Sequence, residues 1–199
     1  MPRNPLAYIM SASTDLGSGM QETEAALIQR CQAGDKDAFG AIVKRYAGAA
    51  RGAAFLILGG HEDALDASQE AFVRAWRAIS RFDPKAPFYP WYARILRNVC
   101  ISRLRRRRPK AVEFEDFHPD PKAESDPVFL AERNERRDCI WAAIVQLPLR
   151  SREVIVMKHF QELSYKQIAD ALEIPVGTVM SRLHTARQTL KDKLADERP

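Results

Sequence analysis

The sequence predicts an all-α protein: two small helical domains joined by an extended acidic linker, the second domain containing a helix-turn-helix. Three observations predict this. Apolar residues recur at spacings of three and four along most of the 199 residues, with no strand-like alternation of useful length. Pro109 to Asp126 has six acidic residues against Lys110 and Lys122, repeated prolines and no helical period. Leu163 to Leu190 carries two helical patterns separated by a short break at Glu173 and Ile174.

In chain order, residues 1–21 are rich in Ser, Gly, Pro and Asn without periodicity and read as a loose tail. Residues 22–108 form the first domain. Ala26, Leu27 and Cys31, then Phe39, Ile42, Val43 and Tyr46, predict two short helices around an Ala33-Gly34-Asp35 turn. Ala49 to Leu58 predicts a further helix, stopped by Gly59-Gly60. Glu62 to Ser80 predicts another, with Leu65, Ser68, Phe72, Trp76 and Ile79 inward. Its far side carries Asp63, Asp66, Glu70, Arg74 and Arg77, with Gln69 at the edge. Such charges suit either a solvated face or a docking face for a basic partner.

Arg81 to Tyr89 contains two prolines and reads as a loop. Phe82, Phe88, Tyr89, Trp91 and Tyr92 cluster in or beside it, next to a basic helix from Pro90 to about Arg107. Tyr92, Ile95, Leu96 and Val99 make the apolar face of that helix; Arg94, Arg97, Asn98, Arg105 and Arg108 make the opposite one. Aromatics beside arginines suit unpaired bases, which stack for ~1–3 kcal/mol each, and phosphates, whose neutralisation releases counterions.

Residues 109–126 are the linker, and residues 127–195 the second domain. Asp126 and Pro127 can open a long helix ending near Gln146 before Pro148. Arg150 to Phe160 predicts the next, with Val154, Ile155 and Met157 apolar. In the helix-turn-helix, Ser164 and Gln167 have the spacing of a capping box, and Leu163 and Ile168 that of a hydrophobic staple. Pro175 opens the second helix. Its stripe of Val176, Val179, Leu183, Ala186, Leu190 and Leu194 faces a core. Gly177, Thr178, Ser181, His184, Thr185 and Gln188 lie opposite, with Arg182 on the flank. Short polar groups without an acid suit a helix lying in a DNA major groove.

Composition bounds the function. The formal net charge of +5 favours a polyanionic partner. No apolar run is long enough to cross a bilayer, so no membrane insertion is expected. The start of the chain lacks a secretory pattern. Cys31, Cys100 and Cys139 are odd in number and far apart, which suits a reducing cytoplasm and buried structural roles rather than a disulfide framework. A redox role for them is left open. There is no HExxH, no Gly-rich phosphate loop after a strand and no nucleophile–base set, and His61, His118, His159 and His184 lie in different segments. No catalysis, metal or cofactor is expected.

Four blocks carry a family resemblance: Asp66-Ala67-Ser68-Gln69-Glu70-Ala71-Phe72, Phe88-Tyr89-Pro90-Trp91-Tyr92-Ala93-Arg94-Ile95-Leu96-Arg97-Asn98, Leu163-Ser164-Tyr165-Lys166-Gln167-Ile168-Ala169 and Pro175-Val176-Gly177-Thr178-Val179. Together they resemble bacterial RNA polymerase sigma factors of the extracytoplasmic-function class, which keep only regions 2 and 4. The resemblance implies an alternative sigma factor that partners core RNA polymerase and promoter DNA in the cytoplasm. It implies polymerase docking through Asp66, Gln69 and Glu70, which favours the docking reading of that face. It implies −10 contacts through Arg81, Phe82, Lys85, Phe88, Tyr89, Trp91, Arg94, Arg97 and Asn98, and −35 contacts through Gly177, Thr178, Ser181, Arg182, His184, Thr185 and Gln188. An anti-sigma factor is the regulator the family implies. The sequence departs from the family at Met180, where Arg is common, at His184-Thr185, where more basic pairs are common, and at Pro90 and Tyr92. The alternative is a stand-alone helix-turn-helix regulator, with no use for the 66–70 face.

Overall fold

The computed structural model describes residues 22–107 and 135–196. The tail, the linker and the start of the long helix expected from residue 127 lie outside the described residues, as does Arg108. Every regular element among the described residues is helical.

Helix α1, Glu24–Gln32, begins where the Thr23 hydroxyl accepts the Ala26 amide at 3.3 Å. Gly34 turns the chain at φ +93°. Asp35 then caps α2, Lys36–Leu58, accepting the amides of Asp37 and Ala38 at 2.9 and 3.1 Å. Arg30 also donates to the Asp35 carboxylate at 2.7 Å, which fixes the angle between the two helices. The two helices expected over 39–46 and 49–58 are one continuous helix. Nothing between Tyr46 and Ala49 competes with the backbone for hydrogen bonds, and Gly48 lowers propensity without breaking the ladder. Helix α2 ends at Gly59, whose left-handed φ of +81° lets its amide reach the Phe55 carbonyl at 2.7 Å.

Helix α3, His61–Ala78, runs into a 3-10 turn at Ile79–Arg81. It packs on α2, and small residues dominate what each helix buries: Ala64, Ala67, Ala71 and Ala75 on α3, Ala50, Ala53 and Ala54 on α2. Helix α4, Phe88–Arg107, closes this cluster with Tyr92, Leu96, Val99 and Cys100. Tyr92 stacks on Phe72 at 4.4 Å between centroids, and its hydroxyl donates to the Ser68 carbonyl at 3.3 Å. The helix starts at Phe88, two residues before the expected Pro90, because the Phe88 amide is satisfied by Glu24 Oε1 at 2.9 Å.

The second cluster contains α5, Glu135–Val145; α6, Leu149–His159; α7, Tyr165–Leu172; and α8, Val176–Asp196. The capping box is complete: the Gln167 amide donates to Ser164 Oγ at 3.2 Å, and the Ser164 amide to Gln167 Oε1 at 2.8 Å. Glu173 takes the left-handed conformation at φ +56° that ends α7. The Pro175 carbonyl accepts Thr178 and Val179 amides at 2.9 and 3.2 Å and opens α8. Val179, Leu183, Ala186 and Leu190 bury one side of α8 against α6 and α7.

Two residues expected in the core are not there. Leu65 is 40% exposed and Val176 41%. Leu65 lies a helical step outside the arc of Ala64, Ala67, Ala71 and Ala75. Val176 starts α8 at the margin of its stripe, before the helix reaches its neighbours.

The clusters touch along α2, α4, α5, α6 and α7. Arg152 is wholly buried and donates to the carbonyls of Leu147 at 2.8 Å and of Ile57, across the boundary, at 2.9 Å. Burial lowers its pKa to about 10, leaving it charged at neutral pH. Phe55 of α2 meets Trp141 of α5 at 5.6 Å.

Candidate nucleic-acid interface

On α3, Asp66 and Gln69 are exposed and Glu70 is half-buried. The acids do not point freely outward. Arg103 of α4 approaches Asp66 at 3.4 Å and Glu70 at 3.0 Å, Arg74 binds Glu70 at 2.6 Å, and Arg107 pairs with Asp63. Burial alone would raise the Glu70 carboxyl, but hydrogen bonds and charge from Arg103 and Arg74 outweigh it and hold its pKa below the usual range. The exposed residues of α3 are Glu62, Leu65, Asp66, Gln69, Val73, Arg74 and Arg77, with Val73 49% exposed. This face is a polar ridge with apolar flanks, less anionic than its sequence suggests.

The aromatic loop divides into a buried frame and an exposed edge. Phe82 and Phe88 are buried, 6.0 Å apart and edge-on. Gln32 of α1 holds the loop by donating to the Ile79 and Phe82 carbonyls at 3.0 and 2.6 Å. Neither ring offers a face to a base in this arrangement, because both are spent on the core that shapes the loop. Trp91 is half-buried, 4.7 Å from Phe82, and Tyr89 is half-buried on Tyr46 at 5.0 Å. Arg81 and Lys85 are exposed on the loop; the Lys85 amide donates to Asp83 Oδ1 at 3.0 Å in a local turn.

Arg94 and Asn98 are exposed along α4, and Arg97 is largely covered. Both arginines meet carboxylates of the second cluster. Arg94 pairs with Glu173 at the end of α7, and Arg97 Nε donates to the buried Glu153 of α6 at 2.7 Å. A second Arg97 nitrogen donates to Asn98 Oδ1 at 3.2 Å. The basic face of α4 therefore meets the second cluster at Arg97, which is largely covered, and at Arg94, which stays open to solvent.

On α8, Gly177, Ser181, His184, Thr185 and Gln188 are exposed, and Thr178 and Arg182 half-buried at the edge. Helical phase brings all seven expected positions to one side. Ser181 Oγ donates to the Thr178 carbonyl at 3.0 Å. Gln188 donates to Asp192 at 3.0 Å, so the acid-free surface ends there.

Sequence reasoning passed over Arg152 and Glu153, which are buried, and marked Met180 only as a departure from the family. Arg152 and Glu153 follow Arg150-Ser151 and precede the apolar run Val154 to Met157, so no local signal separates them from an ordinary charged helix start. Met180 is 53% exposed beside Gly177 and His184. Its sequence signal is its phase, outside the buried stripe.

The thiols of Cys31 and Cys100 are buried, and burial pushes both pKa values up, Cys100 to about 12. Neither is poised as a nucleophile. Among the described residues, no group of three or more His, Cys, Asp or Glu could hold a metal ion, and no helix is long and apolar enough to cross a membrane.

Two family models match in the order of these surfaces: Sigma-70 region 2 over residues 42–110, and Sigma-70, region 4 over residues 137–190. A sigma-region pair on an all-helical frame defines the class. The ECF RNA polymerase sigma factor SigW of Bacillus subtilis is 34% identical over 181 residues, covering 85% of this chain and 95% of the relative. The ECF RNA polymerase sigma-E factor of Escherichia coli is 35% identical over 185 residues, covering 87% and 95%. CnrH, solved in complex with the cytosolic domain of CnrY, superposes with a TM-score of 0.67 at 29% identity, covering 89% of this chain and all of that one. RpoE of Bartonella quintana, solved with the anti-sigma factor NepR, shares the fold at a TM-score of 0.63 and 24% identity, covering 82% of this chain and all of that one. The chain belongs to the extracytoplasmic-function family of RNA polymerase sigma factors. It is an alternative sigma factor, directing RNA polymerase in transcription initiation.

Proposed function

We propose that the described surfaces divide this work into three contacts. Leu65, Asp66, Gln69 and Val73 of α3, with Glu70 as a braced acid behind them, dock core RNA polymerase. Arg81, Lys85 and Trp91 of the loop region, with Arg94, Arg97 and Asn98 of α4, engage the −10 element; Phe82, Phe88 and, in part, Tyr89 support that surface from within. Gly177, Thr178, Ser181, His184, Thr185 and Gln188 of α8 face the −35 major groove, with Arg182 toward a phosphate. No step in this work needs catalysis by the chain itself, and it belongs in the cytoplasm with the polymerase.

The observation that carries this reading is the exposed edge of α3, where Leu65, Asp66, Gln69 and Val73 stand open to solvent and the Arg103 guanidinium reaches Asp66 at 3.4 Å. A stand-alone regulator would need α7 and α8 but not that face. We further propose that the clusters must part before α4 reaches DNA, since Glu153 and Glu173 hold its arginines. A regulator that clasps both clusters would keep the factor idle. CnrH is solved in complex with the cytosolic domain of CnrY, and an anti-sigma factor is the regulator we propose for this chain.

The test is run-off transcription with added core polymerase on genomic fragments, followed by start-site mapping. Defined starts that vanish with Asp66→Arg/Gln69→Arg, while the variant stays folded, are expected. Specific operator binding by the chain alone, unaffected by those changes and without initiation, would overturn the reading.

A further inference from the structure

Among the described residues four large apolar side chains stand open to solvent, in two pairs: Leu65 and Val73 on α3, Val176 and Met180 on α8. The first pair lies on the face already assigned to polymerase. The second lies one turn apart at the start of the helix assigned to the −35 duplex. We propose that Met180, backed by Val176, is a specificity-determining contact with the 5-methyl group of a thymine in the −35 major groove. This rests on the sigma-factor reading of α8 and adds a residue and a base feature to it.

Three observations converge. Met180 is 53% exposed and Val176 41%, and their i, i+4 spacing joins them into one apolar strip. Gly177 lies beside Met180, on the preceding turn. Its φ is not left-handed, and a Cβ built there meets nothing within 4 Å. The fold does not require glycine at that place, and helix propensity favours alanine. The gap beside Met180 therefore opens outward and leaves room for a base edge to approach closely. Finally, no cation stands between Val176 and Ser181, and the Ser181 hydroxyl donates to the Thr178 carbonyl at 3.0 Å. Around Met180 the start of α8 therefore offers few donors for guanine, the cations Arg182 and Arg187 lying beyond Ser181. The thymine methyl is the apolar feature that the major groove displays, and N-terminal residues of a recognition helix are the ones that reach base edges.

The experiment uses the holoenzyme on a promoter recovered by run-off mapping. Each thymine of the −35 element is replaced singly by deoxyuridine, which lacks only the methyl group. With the wild-type chain, at least one replacement should weaken promoter binding about fourfold, the worth of one buried methyl-sized group. Met180→Ala should bind the thymine promoter about fourfold more weakly and be indifferent to that replacement. Met180→Leu should keep the methyl dependence. Met180 is exposed, so thermal stability should be unchanged in both variants. Absence of any methyl effect with the wild-type chain, or an equal effect with Met180→Ala, overturns the inference while initiation itself upholds the sigma reading. Absence of initiation on every unmodified fragment overturns both.

Discussion

Arg97 Nε donates to Glu153 Oε1 at 2.7 Å, and Glu153 keeps only 5% of its side chain in water. A helix assigned to promoter DNA thus has a central cation neutralised by a carboxylate from the opposite cluster. A buried acid that loses its partner is costly, whereas removing both charges is mild. Arg97→Ala should therefore destabilise the chain by about 2 kcal/mol, and Glu153→Gln should recover about half of that when added to it. Chemical denaturation of both single variants and the double variant measures the coupling. Additive losses would show that the pair contributes nothing to the contact between clusters.

Lys85 and Phe88 sit close in the chain but should fail in different ways. Lys85 is exposed on the loop. Lys85→Ala should leave the melting temperature unchanged and reduce thymine reactivity to permanganate in the −10 region. Phe88 is wholly buried against Phe82, Trp91 and Tyr92. Phe88→Ala should open a cavity and cost about 3–5 kcal/mol of stability, with loss of polymerase and DNA functions together. Equal thermal stability of the two variants would contradict this division.

That contrast shows what the sequence could and could not convey. Helical periodicity, the Ser164–Gln167 capping box and the phase of Gly177 to Gln188 depend on residues within a turn or two, and the structure keeps them. Whether Phe82 and Phe88 face a core or a base depends on where α1 and α3 lie, and no local pattern carries that. Leu65 and Val176 were misplaced for a related reason: each sits at the margin of an apolar arc, where burial is decided by a neighbouring helix. The Arg97–Glu153 pair joins residues 56 apart in sequence, and the Arg152–Ile57 bond residues 95 apart. Both follow from the packing of the clusters, which periodicity leaves open. The acids of α3 were legible as a charged face, but their neutralisation by Arg103 and Arg107 depends on the register of α4 against α3.

His159 supplies a pH dependence with a definite sign. Burial, then the charges of Arg187 and Lys158, lower its pKa to about 4, and an Arg187 nitrogen lies 3.4 Å from its Nε2. In the unfolded chain a histidine titrates at about 6.5. Between those values the unfolded state binds the proton and the folded state does not. Stability from this residue is therefore full above about pH 6.5 and is lost as pH falls toward 4. Its partial exposure reduces the effect to about 1–2 kcal/mol. His159→Gln should melt less steeply with falling pH than the wild type between pH 7 and 5, as thermal scans would show. Parallel curves for the two proteins would mean that His159 does not titrate differently on folding.

The reading face of α8 separates by what each side chain has left to offer. Arg182 is half-buried on the flank, where a duplex seated on Gly177, Ser181 and Thr185 would bring a phosphate. Arg182→Ala should weaken binding across promoters and lower the salt slope by about one unit. Ser181 gives its proton to the Thr178 carbonyl, so toward DNA it can only accept. Its partner should be an amino group, adenine N6 or cytosine N4. Ser181→Ala should relax preference at one −35 position occupied by adenine or cytosine, costing ~1–3 kcal/mol there and little elsewhere, with the salt slope unchanged. The measurement is a −35 base-substitution library transcribed with each mutant holoenzyme at several salt concentrations. A Ser181→Ala profile that relaxes at guanine or thymine would show that its hydroxyl turns away from Thr178 on binding. A base-selective loss with Arg182→Ala would shift the reading face by about a third of a turn toward Thr178 and Arg182.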